Sequence, residues 1–211
     1  MARGRPPAHT RDEVVDAAIA VADAEGLAAV TFRRVASAIG AGAMSLYTYV
    51  PDKDRLVDLM VDRVAADVSW PADLLALAGT QRELMLRHPW LPSALPNRRL
   101  TGMNMLGYLE QGLAALAPTK LSGPAKLELI ALLTGFVAGY VTGELAQARG
   151  GVTTAEQVEL ITSAVATGAF PHLAAVLAES TGGPAPVSSF ETVAARMIAG
   201  LLADPPPVTR S

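Results

Sequence analysis

Apolar positions recur at helical intervals along nearly the whole chain, and no segment alternates in the two-residue rhythm of a half-buried strand. In the first segment Thr10 and Glu13 stand at capping-box spacing, and Val14, Ala17, Ala18, Val21 and Ala22 form one apolar face before a stop at Gly26. Thr31 can cap a second helix whose apolar side is Val35, Ala36 and Ile39, with Gly40 at its end. A third helix is predicted over 43–50, with Leu46 and Val50 inward, and at that length it needs packing to be stable. Pro51 ends it and Asp52 can cap the next. Beyond this head the pattern predicts helices over 53–68, 71–87, 98–116, 122–149, 154–166, 171–179 and 189–203. Breaks fall at 89–97, Pro118, Gly150–Gly151 and 182–186. The expected fold is all-α: a three-helix N-terminal head over 1–51, joined by a linking helix to a larger helical domain over 52–204. A tail over 205–211, opening on three prolines, is expected to be disordered.

Composition narrows the class. With 211 residues and 51% apolar content the chain can bury a sizeable helical body. It has no cysteine, which removes disulfides and thiol catalysis and agrees with a cytoplasmic location. Asp16 and Asp23 interrupt the first apolar stretch, so no signal peptide is expected. The uncharged run 129–143 falls short of the roughly 20 residues that span a bilayer, and it reads as a buried helix with no membrane partner.

The stretch from Val30 to Leu56 carries the chemistry. Two short helices about a Gly-containing turn form a helix-turn-helix pattern, with Met44, Ser45, Tyr47, Thr48 and Tyr49 free to face phosphates, thymine methyls and base edges. Lys53 follows as a phosphate-seeking cation, and Arg3 and Arg5 lie on an arm suited to a minor groove or to phosphates. The same pattern also suits a plain helical hairpin. Residues 1–55 carry seven basic and seven acidic side chains, so DNA binding requires local segregation of Arg3, Arg5, Arg11, Arg33, Arg34 and Lys53. Gly40 and Gly42 imitate part of a dinucleotide fingerprint, but a helix precedes them where a strand is required.

The order TFRRVASAIG, a short turn, then MSLYTYVPDKDRLVDLM resembles the DNA-binding head of the TetR family of one-component bacterial regulators. Later segments, HPWLPSAL, NMLGYLEQGLAAL and FPHLAAVLAE, are more loosely similar to the tetracycline-repressor-like C-terminal domains. The resemblance implies DNA contacts from Arg33, Ala43, Met44, Ser45, Tyr47, Thr48, Tyr49 and Lys53. Ala43 and Met44 cannot hydrogen-bond to bases through their side chains, which shifts the expected reading to Arg33, Ser45 and Thr48. It also implies a homodimer on palindromic double-stranded operator DNA, a small-molecule effector, and repression relieved by that effector.

In the body, Gly135, Gly139 and Gly143 recur every fourth residue. Either another helix crosses close to this bare stripe, or the stripe walls a ligand space. Trp90, Met103, Tyr108, Leu133, Phe136, Tyr140 and Glu144 are candidate lining residues for a largely apolar site. Val158, Ile161, Val165, Val193, Met197, Ile198 and Leu201 lie on the last helices, which in the family pair across the dimer axis. His9, His88 and His172 are scattered and no HExxH or nucleophile-elbow motif occurs, so neither catalysis, metal nor cofactor is expected. The competing class is a helical small-molecule carrier or adaptor whose head does not bind DNA.

Overall fold

The computed structural model describes residues 9–95, 102–148, 155–179 and 189–203. Helix α1 (Arg11–Glu25) opens on the reciprocal cap expected of Thr10 and Glu13, with bonds of 3.1 and 2.9 Å, and stops at Gly26, whose φ of 85° suits glycine. A single 3-10 turn (Leu27–Ala29) leads to α2 (Phe32–Ala38), where Thr31 Oγ1 accepts from the Arg34 amide at 3.1 Å. Helix α3 (Ala43–Leu46) is shorter than the expected 43–50. Its continuation is drawn into tighter i→i+3 bonds, Thr48 N–H to Ser45 and Tyr49 N–H to Leu46, because Pro51 disfavours helical backbone at Val50. Helix α4 (Lys53–Val64) starts on Asp52, which accepts from the Arg55 amide at 2.7 Å, and ends before the expected 68 in similar i→i+3 turns. Val14, Val35, Leu46, Val50 and Leu56 are all fully buried and form the core that holds α1 to α4 together.

The body follows. Helix α5 (Leu74–Arg87) begins three residues later than expected because Asp73 caps it through the Ala76 amide. The stretch expected to be a break contains α6 (Leu91–Ala94), a single turn with Pro92 near its start, where a missing N–H costs little. Then come α7 (Met103–Ala115), α8 (Gly123–Ala148), α9 (Ala155–Ala166), α10 (Pro171–Glu179) and α11 (Phe190–Leu202). The expected start of α7 at 98 and the tail over 205–211 lie outside the described residues. Helix α8 is the spine: α5, α6, α7 and α11 all pack on it. Its 26 residues are long and apolar enough to cross a membrane, but Leu129, Ile130, Leu133, Val137 and Val141 are buried against those neighbours, as in a core helix. Close helix approach occurs at Gly112, where a Cβ would come within 2.9 Å of Ile130 Cδ1.

Helices α9 and α10 pack on each other. Val158, Leu160 and Val176 remain exposed on them and Phe170 between them, and Ile161 and Val165 are half-buried. Of the candidate dimer positions on α11, Ile198 is buried in the protomer's own core, and Met197 and Leu201 pack against that core, while Val193 is half-buried. That face of α11 is spent on α5 and α8, because its apolar side is the nearest cover for both.

Leu46 is the single buried side chain of α3. Leu46→Ala is expected to cost about 2–5 kcal/mol through lost burial and a residual cavity. A urea titration followed by circular dichroism should show the transition moving to clearly lower urea; an unmoved midpoint would mean that α3 is not held by this contact.

Candidate functional site

The surface expected to meet DNA is assembled by α2, the turn and α3. Arg33, Met44, Ser45, Tyr47, Thr48 and Lys53 are exposed and Ala43 and Tyr49 half-buried. Met44 is 80% exposed and Tyr47 52%, a large apolar surface for a side chain with nothing to cover it. Tyr47 is fixed by an edge contact with Phe32, with ring centroids 4.5 Å apart. The Ser45 hydroxyl donates to the Gly42 carbonyl at 2.6 Å and the Thr48 hydroxyl to the Ser45 carbonyl. With their protons committed to the backbone, both oxygens are left as outward acceptors, suited to amino groups on base edges. Arg34 departs from the expected basic set: its guanidinium is bonded to Glu25 at 2.5 and 2.9 Å, and that bond holds the Glu25 carboxyl below the usual carboxylate range. Arg3 and Arg5 lie outside the described residues.

In the body an apolar cavity of about 670 Å³ opens between α6, α7 and α8. Met105, Tyr108, Leu109, Ile130, Ala131 and Gly135 are among its walls, and none of the described residues that line it is charged. Its polar handles are hydroxyls. Tyr108 OH lies 2.7 Å from Thr134 Oγ1 and 3.5 Å from Gln81 Oε1, and Thr134 in turn donates to the Ile130 carbonyl at 2.9 Å. Burial pushes the Tyr108 phenol up, against the smaller opposing effect of these bonds. The glycine stripe resolves in favour of open space: among the described residues nothing lies within 4 Å of a Cβ built at Gly135, Gly139 or Gly143, and Gly135 and Gly139 line the cavity.

Of the seven expected lining residues, Tyr108 alone lies on this wall. Met103 points outward at 80% exposure, because it is the first residue of α7, and Leu133 turns to the core face of α8. Phe136 packs with Tyr140 and Phe190 in an aromatic cluster on another side of α8. Tyr140 and Glu144 line a separate cleft, where Glu144 accepts two bonds from Arg82 at 2.6 and 2.8 Å. Trp90 is buried and donates through Nε1 to Asp23 at 2.7 Å. Thr134 and Gln81 went unnoticed in the sequence because a buried hydroxyl network leaves no periodic mark. Trp70, also missed, rests edge-on against Tyr108 at 5.0 Å, its indole N–H buried without a partner among the described residues.

Asp62, near the C-terminal end of α4, connects the two regions. Its Oδ1 accepts from the backbone amides of Asn104 and Met105 at 2.9 and 3.0 Å, and the Asn104 side-chain amide donates to Asp62 Oδ2 and to the Asp62 carbonyl, both at 3.1 Å. A carboxylate thus caps a helix that has no cap of its own, where the N-terminal dipole favours negative charge. Gly102 permits the approach, since a Cβ there would lie 1.9 Å from Asp62 Cγ. The sequence signal was present but silent: α7 starts on a glycine that cannot supply a capping oxygen.

Comparison with known proteins bears on both regions. Residues 14–60 match the family described as bacterial regulatory proteins, tetR family, and residues 65–204 match the tetracyclin repressor-like C-terminal domain. The HTH-type transcriptional repressor DrrR1 of Streptomyces coeruleorubidus is 39% identical over 199 residues, covering 86% of this chain and 73% of the relative. Among solved structures, ActR of Streptomyces coelicolor in complex with (S)-DNPA aligns with a TM-score of 0.75 at 29% identity, covering 94% of this chain and 98% of that one. ActR in complex with actinorhodin aligns with a TM-score of 0.74 at 26% identity, covering 92% and 97%.

The environment of Tyr108 gives an alkaline signature. Its folded-state pKa is raised, so the unfolded chain ionises first, near the ordinary value of about 10, and the stability that Tyr108 contributes is lost as pH rises from there through the folded value. A spectrophotometric titration at phenolate wavelengths should show a late phase that Tyr108→Phe removes; a titration unchanged in shape by that substitution would contradict the buried hydroxyl network.

Proposed function

The chain belongs to the tetR family of bacterial regulatory proteins and is a ligand-responsive transcriptional regulator, and from that premise we propose that it represses from a palindromic operator and releases it when a neutral, largely apolar molecule fills the α6–α7–α8 cavity. Family members of this kind bind operator DNA as dimers and respond to small-molecule effectors. The observation that carries the specific reading is the Asp62 cap. One helix, α4, begins beside the reading head and ends bonded to the start of α7, whose Met105, Tyr108 and Leu109 face the cavity. A ligand that prefers a different placement of α7 must therefore move α4 or break three strong bonds, and either event biases the head. Two heads held about 34–36 Å apart read successive major grooves, so a modest reorientation of each is sufficient to end paired binding.

Within the head, Arg33, Ser45 and Thr48 are the proposed base readers, with Ala43 and Met44 supplying methyl contacts and Tyr47, Tyr49 and Lys53 gripping phosphates. Arg3 and Arg5 would follow the backbone or a minor groove. In the body the described lining residues carry no charge, which favours a neutral ligand whose few polar atoms meet Tyr108 and Thr134. The proposed dimer surface draws on the exposed α9–α10 pair, including Val158, together with Ile161, Val165 and the outward part of α11. We further propose that the protein works in the cytoplasm, as a binding protein and not as an enzyme. A carrier without DNA binding is the weaker reading, because residues 14–60 match the family's head.

Selection from random oligonucleotides with the purified protein should recover a palindrome, and recovery of no sequence preference would contradict the operator reading. Tyr47→Ala and Lys53→Ala should each weaken binding without changing dimer mass. Affinity should fall by about 10³–10⁵ between 50 and 200 mM salt if six to ten phosphates are contacted. For the cavity, Ala131→Trp should abolish binding of the neutral dye Nile red while leaving operator affinity in place; undiminished dye binding would place the ligand elsewhere.

A further inference from the structure

A second bond between head and body stands apart from α4. Asp23 lies near the end of α1, inside the head, and its carboxylate accepts from Trp90 Nε1 at 2.7 Å and from His88 Nδ1 at 2.9 Å, with the second oxygen 3.2 Å from the same imidazole. An ionised carboxylate can only accept, so the imidazole proton sits on Nδ1. His88 is the last-turn cap of α5 and Trp90 immediately precedes α6, so both donors are fixed by the body. Trp90 is 3% exposed, which gives the indole one position and makes its N–H a rigid anchor. Beside this clamp runs a cleft of about 570 Å³ between the end of α1, α6 and α8. Pro92 and Thr142 line both that cleft and the apolar cavity, which places the clamp one wall away from the ligand space.

We propose that Asp23 is a positioning residue: by gripping Trp90 and His88 it fixes the rotation of the reading head on the body and so sets the half-site spacing that the dimer accepts. The Asp62 cap, together with the packing of α4 on α6 and α7, holds the head along one helix. A second link at the far end of α1 adds a restraint away from that axis. Asp16, which accepts two bonds from Arg63 at 3.0 and 3.1 Å, ties α1 to α4 within the same rigid unit and so carries the restraint from one link to the other. Spacing selectivity, and not half-site sequence, is the property that depends on the clamp.

The inference rests on the operator reading above, and the test separates the two. With the palindrome recovered by selection, binding is measured to the operator, to the same operator with two base pairs inserted at its centre, and to a lone half-site. Linked heads gain about 10²–10⁴ in affinity only when geometry lets both engage, so the wild type should lose at least about 10²-fold on the lengthened site. Asp23→Ala and Trp90→Phe should lose less than about tenfold on that site and bind the lone half-site as the wild type does. Asp23→Asn, which keeps an acceptor for Trp90, should retain most of the discrimination. Trp90→Phe preserves an aromatic ring in the core, so it tests the bond even if Asp23→Ala fails to fold. Wild-type discrimination in both Asp23→Ala and Trp90→Phe would overturn the proposal, whereas a wild type that selects no palindrome would overturn the operator reading and this inference with it.

Discussion

The carboxylate of Asp62 is the constraint on which the rest of the molecule turns. It lies on the helix that leaves the reading head, yet the groups it satisfies belong to α7, on the wall of the cavity. An uncapped helix start leaves amide donors without acceptors, and a buried donor left unpaired costs about 1–3 kcal/mol. Helix α7 therefore cannot shift away from α4 without losing its cap, and α4 cannot tilt without pulling α7. Gly102 records how close the approach is, because any larger residue there would collide with the capping group itself.

Around this joint the chain distributes its charge sparingly. The described lining of the cavity carries no ionised group and its polar handles are hydroxyls, while three carboxylates hold elements in place: Asp62 on α7, Glu144 on Arg82, Asp23 on His88 and Trp90. The reading surface follows a related logic. Glu25 takes Arg34 out of the exposed basic set, and the hydroxyl protons of Ser45 and Thr48 are bound to backbone carbonyls, which leaves a surface of acceptors, one apolar projection at Met44 and a small number of free cations. Such a surface suits the proposed division, with affinity mostly from phosphates and discrimination from a few directed contacts.

Local signals in the sequence were sufficient for the head. The Thr10–Glu13 box, the Thr31 cap, Gly26, Gly40 and the Asp52 cap are contacts between residues three or four apart, and each appears where spacing places it. The end of α3 was overestimated because the restriction that Pro51 imposes reaches back through Val50 and tightens the preceding turn. The body was harder to read. Its helices were legible, but which face of each meets the cavity depends on packing between helices distant in sequence, so Phe136, Tyr140 and Glu144 were expected at the ligand wall and instead form their own cluster with Arg82 and Phe190. The glycine stripe admitted two readings, and open space among the described residues at all three positions favours the second, whereas the close helix crossing falls at Gly112. Bonds spanning more than 40 residues, such as those of Asp62 and Asp23, leave no local pattern to detect.

Whether the Asp62 bonds fix the placement of the head is open to direct measurement, because the chain has no cysteine of its own. Ser37, exposed on α2, can be replaced by cysteine and spin-labelled to give one distance between the two heads of the dimer. If the Asp62 bonds do so, the free protein shows a narrow distance distribution, close to that on operator DNA, and a broad or displaced one when Asp62→Ala is added. Identical narrow distributions with and without Asp62 would show that these bonds do not place the head.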